Sequence, residues 1–186
     1  ALDRDLQAVQ AVYLERGLVN VKVGRPSVSL SPDKRYLFIS IPVDEGDQYS
    51  IAKIDFSGEL LDMGGALRAL VVSRPGELFQ RSKVFQDLTA VGDLYRDQGY
   101  AYVNVTPLTS LDPKNRTLAL TFDVQPGKKV YVERIEVAGN SKTRDKVIRR
   151  EMLLREGDRF SLAMFKDSIL RVKQLGLVDL EKEPEI

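Results

Sequence analysis

The amino-acid sequence predicts an α+β array built by repeating one strand–helix–helix–strand–strand unit. The first observation behind this is similarity at a spacing of 81 residues. Arg74-Pro75-Gly76-Glu77-Leu78-Phe79 returns as Arg155-Glu156-Gly157-Asp158-Arg159-Phe160, and Ile54-Asp55-Phe56-Ser57-Gly58 returns as Ile135-Glu136-Val137-Ala138-Gly139. Weaker echoes join Ser31-Pro32-Asp33-Lys34 to Asp112-Pro113-Lys114-Asn115, and Tyr13-Leu14-Glu15-Arg16-Gly17 to Tyr95-Arg96-Asp97-Gln98-Gly99. The second observation is a hydrophobic period that switches between helical and two-residue spacing in a fixed order. The third is composition: 43% hydrophobic and 30% charged residues are those of a globular domain.

The complete repeat spans residues 49–128. Ile51 to Phe56 is the first strand, closed by Gly58. Leu60 to Val72 places Leu67, Leu70 and Val71 near helical spacing, weakened by Gly64-Gly65. Pro75-Gly76 breaks the chain. Ser82 to Gln98 carries Val84, Leu88, Val91 and Tyr95 on one helical stripe, with Ser82 as its expected N-cap and Gly99 as its stop. Tyr100 to Val105 is a strand, Asp112 to Asn115 a turn, and Leu118, Leu120, Phe122 and Val124 alternate as a strand with one buried face.

The flanking repeats are incomplete. Residues 1–48 hold a second helix with the stripe Leu2, Leu6, Val9 and Tyr13, a strand from Val19 to Val28, and a last strand in which Leu37, Ile39, Ile41 and Val43 alternate. Residues 129–186 hold a first strand at Val132, Ile135 and Val137, a first helix opened by Ser141 or Thr143, and a second helix with Leu162, Phe165, Ile169 and Val172 capped by Ser161. The start of a further strand follows at Leu177 to Leu180. A repeat lacking strands leaves an unpaired edge, which is expected to mate with a neighbouring molecule. The joints, Asp44-Glu45-Gly46-Asp47 and Gln125-Pro126-Gly127-Lys128, are short, so semi-rigid hinges are expected there.

Composition also excludes functions. The chain has no Cys and no His, which removes thiolate nucleophiles, zinc–thiolate sites and the commonest general base. No paired-carboxylate motif or phosphate-binding Gly-rich loop stands out, so no enzyme is expected. A net charge of +1, without basic residues interleaved with aromatics, argues against nucleic acid. Asp44, Glu45 and Asp47 match no calcium-loop spacing and read as a polar joint, with no metal expected. A first residue Ala1 suggests a processed or excised chain.

At this point the order of elements, Gly58 or Gly139-Asn140 after strand one, Pro-Gly-Glu or Glu-Gly-Asp before the second helix, and Gly99-Tyr100-Ala101 after it resemble POTRA domains over the whole chain. Leu30 to Lys34 with Val43 to Tyr49 resemble the end of the third unit in such an array. Pro75 to Phe79 with Gly99 to Tyr102 resemble the fourth unit. Val130 to Ile135 with Ile148-Arg149-Arg150-Glu151-Met152 resemble the start of the fifth. The resemblance implies tandem modules, each a three-stranded mixed sheet with two helices on one face, in the periplasm of a Gram-negative bacterium. It also implies an outer-membrane protein whose C-terminal barrel lies outside this chain. The implied role is a scaffold without cofactor that receives unfolded outer-membrane proteins and docks accessory lipoproteins. A two-partner secretion or translocation-and-assembly transporter is the alternative, against which the Arg149–Met152 segment argues.

Such a sheet leaves one edge open, and an extended client adds there through main-chain hydrogen bonds that ignore its sequence. Strand two is the candidate edge: Val19, Asn20, Val21, Lys22 and Val23, then Tyr102, Val103, Asn104 and Val105. The resemblance further implies that Arg149, Arg150 and Glu151 dock a lipoprotein. Without it, the segment reads as a solvated helix face also carrying Lys142, Arg144 and Lys146, with Glu151 paired to Arg144 or Arg155.

Overall fold

A computed structural model of the chain describes residues 2–140 and 143–176. The helices are α1 (Leu2–Glu15), α2 (Gly64–Leu70), α3 (Arg81–Asp97), α4 (Asp145–Arg149) and α5 (Leu162–Gln174). The strands are β1 (Lys22–Val23), β2 (Ser27–Leu30), β3 (Leu37–Ser40), β4 (Val43–Asp44), β5 (Ser50–Gly58), β6 (Asn104–Asp112) and β7 (Thr117–Gln125). The fold is α+β, and residues 50–125 run strand–helix–helix–strand–strand as expected. Ser141, Lys142 and the strand expected from Leu177 to Leu180 fall outside the described residues.

Packing divides the chain into two compact units, one of residues 1–89 and 106–123, the other of residues 90–105 and 124–186. In the first unit, the three-stranded sheet has the order β5-β7-β6, so the alternating β7 is central. Leu118, Leu120 and Phe122 are fully buried, and Phe122 stacks on Phe56 at 5.6 Å. Leu67, Val71 and Val84 are the buried residues of the helical segments. Asp87 is also fully buried, although the apolar stripe does not include it; its carboxylate accepts the N–H groups of Val72 at 2.6 Å and Ser73 at 3.2 Å. It thereby ties the loop after α2 to the side of α3. Ser82 is not the cap of α3, because the helix begins one residue earlier, at Arg81.

The N-terminal part of this unit departs from the expected strands. Val19 and Asn20 lie in a turn, because Val19 N–H bonds to Gly17 and Val21 N–H to Leu18. The long strand expected from Val19 to Val28 is split into β1 and β2 by Gly24-Arg25-Pro26. β1 pairs with β4, and β2 with β3, as two separate antiparallel ladders. The expected buried face of Leu37 and Ile39 is absent: they are 58% and 52% exposed, and Ile41 and Val43 are only half-buried. An alternating pattern names the face to be buried, yet no described element packs closely on this hairpin.

In the second unit, Leu154, Phe160 and Leu162 form a core joined by Ala101, Val130, Val132 and Phe165. Ser161 caps α5, its hydroxyl accepting Met164 N–H at 3.3 Å, as the sequence predicts. Thr143 does not open α4; Arg144 holds the cap position. Residues 132–139 form no strand, because a strand needs a ladder partner and none lies among the described residues. Only Tyr131 makes an isolated bridge, to Arg159. Ser168 repeats the role of Asp87 one spacing on, accepting Leu153 N–H at 2.8 Å while donating to Met164 O at 2.6 Å.

Candidate functional site

β6 forms one edge of the three-stranded sheet, and β5 forms the other. The two edges are not equally open. The start of β5 is covered by the loop before α3: Ile51 N–H bonds to Glu77 O at 2.8 Å, and Gly76 N–H bonds to Ile51 O at 2.7 Å. β6 is exposed at every position from Thr106 to Leu111, with Leu108 half exposed. Pro107 supplies no N–H, a residue sheets tolerate at edges.

Of the predicted edge residues, only Asn104 and Val105 lie in β6. Val103 is buried, and Tyr102 precedes the strand as an exposed turn residue. The exposed stretch of this edge strand is therefore residues 106–111, C-terminal to most of the residues the sequence suggested. In the N-terminal segment only Lys22 and Val23 are extended, paired to Asp44 and Val43. Val21 is buried, and Asn20 donates to the Tyr49 hydroxyl at 2.9 Å. The open apolar surface there is the β2–β3 hairpin, where Val28, Leu30, Leu37, Phe38 and Ile39 are all more than half exposed. Sequence reasoning missed this surface. Its signal was the unbroken run Tyr36-Leu37-Phe38-Ile39, which makes both faces of the strand apolar, so that one covered face cannot bury them all.

Arg149, Arg150 and Glu151 separate into two roles. The Arg149 guanidinium is a clamp: it bonds Asp145 at 2.8 Å, Glu156 at 3.2 Å and the Ile135 carbonyl at 2.7 Å. The Asp145 hydrogen bond, followed by Glu156, raises its pKa above the ordinary value. Glu156 is held below its ordinary value first by Ile135 N–H, then by Arg149. This clamp fixes the extended segment around Ile135 against α4. Glu151 pairs with its neighbour Arg150 at 3.1 Å rather than with Arg144 or Arg155. The reason is reach: α4 stops at Arg149, so the helical spacing that would bring Arg155 round to Glu151 is not maintained. Arg150 is the more exposed of the pair and Glu151 the more sheltered. Beside them, residues 130–140, α4 and α5 line a groove of about 1180 Å³, with Met152, Phe165 and Ile169 among its apolar walls. Among the described residues no acidic cluster of metal-binding geometry occurs, and Asp47 of the polar joint pairs with Arg116 at 3.2 Å.

A β-α-α-β-β module followed, one repeat spacing on, by the opening elements of another defines tandem POTRA modules. Residues 49–127 and 130–186 match the POTRA family, described as surface antigen variable number repeat, and the chain belongs to that family. It is 32% identical, over 98% of its length, to the outer membrane protein assembly factor BamA of Nitratidesulfovibrio vulgaris. It is 29% identical, over 95% of its length, to BamA of Neisseria meningitidis serogroup B. The chain spans 24% and 22% of those relatives, about a quarter of their length. The crystal structure of Haemophilus influenzae BamA POTRA3-5 superposes with a TM-score of 0.82 at 26% identity, covering 94% of this chain and 69% of that one. BamA from Haemophilus ducreyi lacking POTRA domains 1-3 gives 0.61 at 25% identity, covering 69% of this chain and 24% of that one. No described helix is long and apolar enough to cross a membrane.

Proposed function

We propose that this chain is part of the periplasmic arm of an outer-membrane assembly factor and acts as a non-enzymatic scaffold. In that reading, residues 1–48 close one POTRA module, residues 49–128 form the next, and residues 129–186 open a third. An unfolded outer-membrane protein adds as an extended strand to the outer edge of β6. The observation that supports this most is the asymmetry of the sheet: β7 is central and its inward residues are fully buried, while β6 is terminal and exposed along residues 106–111. Main-chain pairing suits clients that share no sequence. Pro107 and the polar Thr109 and Ser110 keep the edge from self-pairing too strongly. Accessory lipoproteins dock at Arg150-Glu151, while Arg149 holds the loop in shape.

The test is an NMR titration of the labelled chain with a peptide copied from an outer-membrane β-strand. Shifts concentrated on 107–111 and on the facing residues of β7 are expected. A folded protein with no shifts there overturns strand addition at β6. Lipoprotein docking is tested separately by Glu151→Lys, which should abolish capture of the lipoprotein, whereas unchanged capture overturns the assignment.

A further inference from the structure

Among the described residues, two of the three long helices end on an acid. Glu15 is the last residue of α1 and Asp97 the last residue of α3. This is the wrong end for a negative charge, since the helix dipole favours cations there, and α1 has no basic residue in its last turn to compensate. Both acids reach across to the start of a later helix. One Glu15 carboxylate oxygen accepts Ser82 N–H at 3.0 Å and the other accepts the Ser82 hydroxyl. An Asp97 oxygen accepts Ala163 N–H at 2.7 Å. Ser82 and Ala163 are the second residues of α3 and α5, one repeat spacing apart. Each acid therefore satisfies an N–H that its target helix cannot bond internally, at the end where that helix's dipole favours negative charge.

The surrounding geometry is also duplicated. Each acid is followed, two residues on, by a glycine with positive φ: Gly17 at 81° and Gly99 at 93°. The carbonyl of each glycine accepts the N–H of the residue that opens the following repeat, Tyr49 at 2.9 Å and Val130 at 2.8 Å. A side chain at Gly99 would place its Cβ 2.7 Å from Arg159 Cγ, so the approach is close as well as left-handed. At the second joint Lys166 adds an ion pair to Asp93 at 3.0 Å.

We propose that Glu15 and Asp97 are carboxylate latches. Each fixes the end of one repeat's helix onto the start of the next repeat's second helix, so that joint stiffness in this array depends on charge. Two isolated surface acids would not share helix position, target position, glycine spacing and backbone bond. The third helix, α5, ends on Gln174 with Gly176 two residues on, which keeps the glycine but replaces the charge with an amide.

The experiment uses the whole chain and the variants Glu15→Gln, Asp97→Asn and Glu15→Ala. Hydrogen exchange is read at the Ser82 and Ala163 amides, and residual dipolar couplings report α1 against residues 50–89. Loss of a helix-capping acceptor is expected to speed exchange at the targeted amide about fivefold or more. The downfield shift of that amide proton should also be lost, with the other joint unchanged. In Glu15→Ala, one alignment tensor should no longer fit α1 together with residues 50–89. Gln174→Glu should change neither amide. Retention of protection at Ser82 and Ala163 in folded charge-neutral variants, or a single tensor persisting in Glu15→Ala, overturns the latch.

Discussion

Asp87 is the residue whose removal should hurt most relative to its apparent modesty. It sits at helical spacing between the buried Val84 and Val91, fully enclosed, and its two oxygens each take one backbone N–H from the loop after α2. Asp87→Ala orphans both donors. Hydrogen bonds to a charged group contribute roughly 1.5–3 kcal/mol each, and a buried donor left bare costs its full desolvation. Val72 is 44% exposed, so its N–H recruits water; Ser73 is 1% exposed, so its N–H does not. The expected loss is therefore about 2–4 kcal/mol, or a midpoint lowered by roughly 5–15 °C for a chain of this size. Asp87→Asn turns an amide toward one of the donors and should cost nearly as much. Asp87→Ser imitates the repeat, where Ser168 holds a single loop N–H at 2.8 Å, and should fall between wild type and Ala. Ser168→Ala, with one neutral acceptor lost, should cost about 1 kcal/mol. The chain has no Trp, so urea unfolding is followed by circular dichroism, with hydrogen exchange at Val72 and Ser73 as the local probe. If Asp87→Ala stays within about 0.5 kcal/mol of wild type, the pinning argument is wrong, since that is the scatter of inconsequential surface substitutions.

Three further expectations follow the same logic. Leu118→Ala should cost about 2–5 kcal/mol, and Leu37→Ala, its counterpart one repeat earlier but 58% exposed, below about 1 kcal/mol; equal costs would mean the hairpin is covered in solution. Ser73→Ala should be neutral or stabilising by about 0.5–1 kcal/mol in urea titration, because the Ser73 hydroxyl is buried without a partner; a clear loss would reveal one. Glu15, Glu77 and Glu156 are each held below the ordinary value of 4.5, by the Ser82 hydroxyl and N–H, by Lys83, and by Ile135 N–H with Arg149. Their folded values are depressed, so their contribution is complete above 4.5 and is lost as pH falls through those lowered values. Urea midpoints should thus hold steady from neutrality to about pH 5 and drop below it. A Glu15→Gln, Glu77→Gln, Glu156→Gln variant should show a shallower drop, and an identical acid limb would refute the assignment.

What was legible in the sequence was whatever local periodicity determines. The alternation of Leu118, Leu120, Phe122 and Val124 became the central strand with all four fully buried, and the Val84–Tyr95 stripe became α3. What was not legible is what depends on a partner. Leu37 and Ile39 carry the same alternation, yet stay exposed because period two specifies a face without specifying its cover. Residues 132–137 spell a strand as clearly as residues 51–56, but the latter have β7 beside them and the former are held by Arg149 and Glu156 side chains instead. The strand expected at Val19–Val23 is reduced to Lys22–Val23 for a similar reason: short-range bonds from Val19 and Val21 outcompeted extension before it.

The polar residues carry the more transferable lesson, because the repeat itself held the information that periodicity lacked. Asp87 and Ser168 occupy the same position beside an apolar stripe, and Glu15 and Asp97 the same position at a helix end, where a single sequence offers no reason for either. One buried acid is an oddity and one misplaced terminal acid is a solvated surface charge. The same kind of residue at the same register in two successive repeats, each bonded to equivalent backbone N–H groups, requires a structural demand that both repeats share. In a tandem array that demand is the junction between elements. Within the repeat, Asp87 and Ser168 meet it by holding the loop to the helix. At the joints, Glu15 and Asp97 meet it by joining one helix end to the next helix start. Polar residues that recur in register where apolar or basic ones are expected are therefore the positions at which to look first for the fastenings of such a chain.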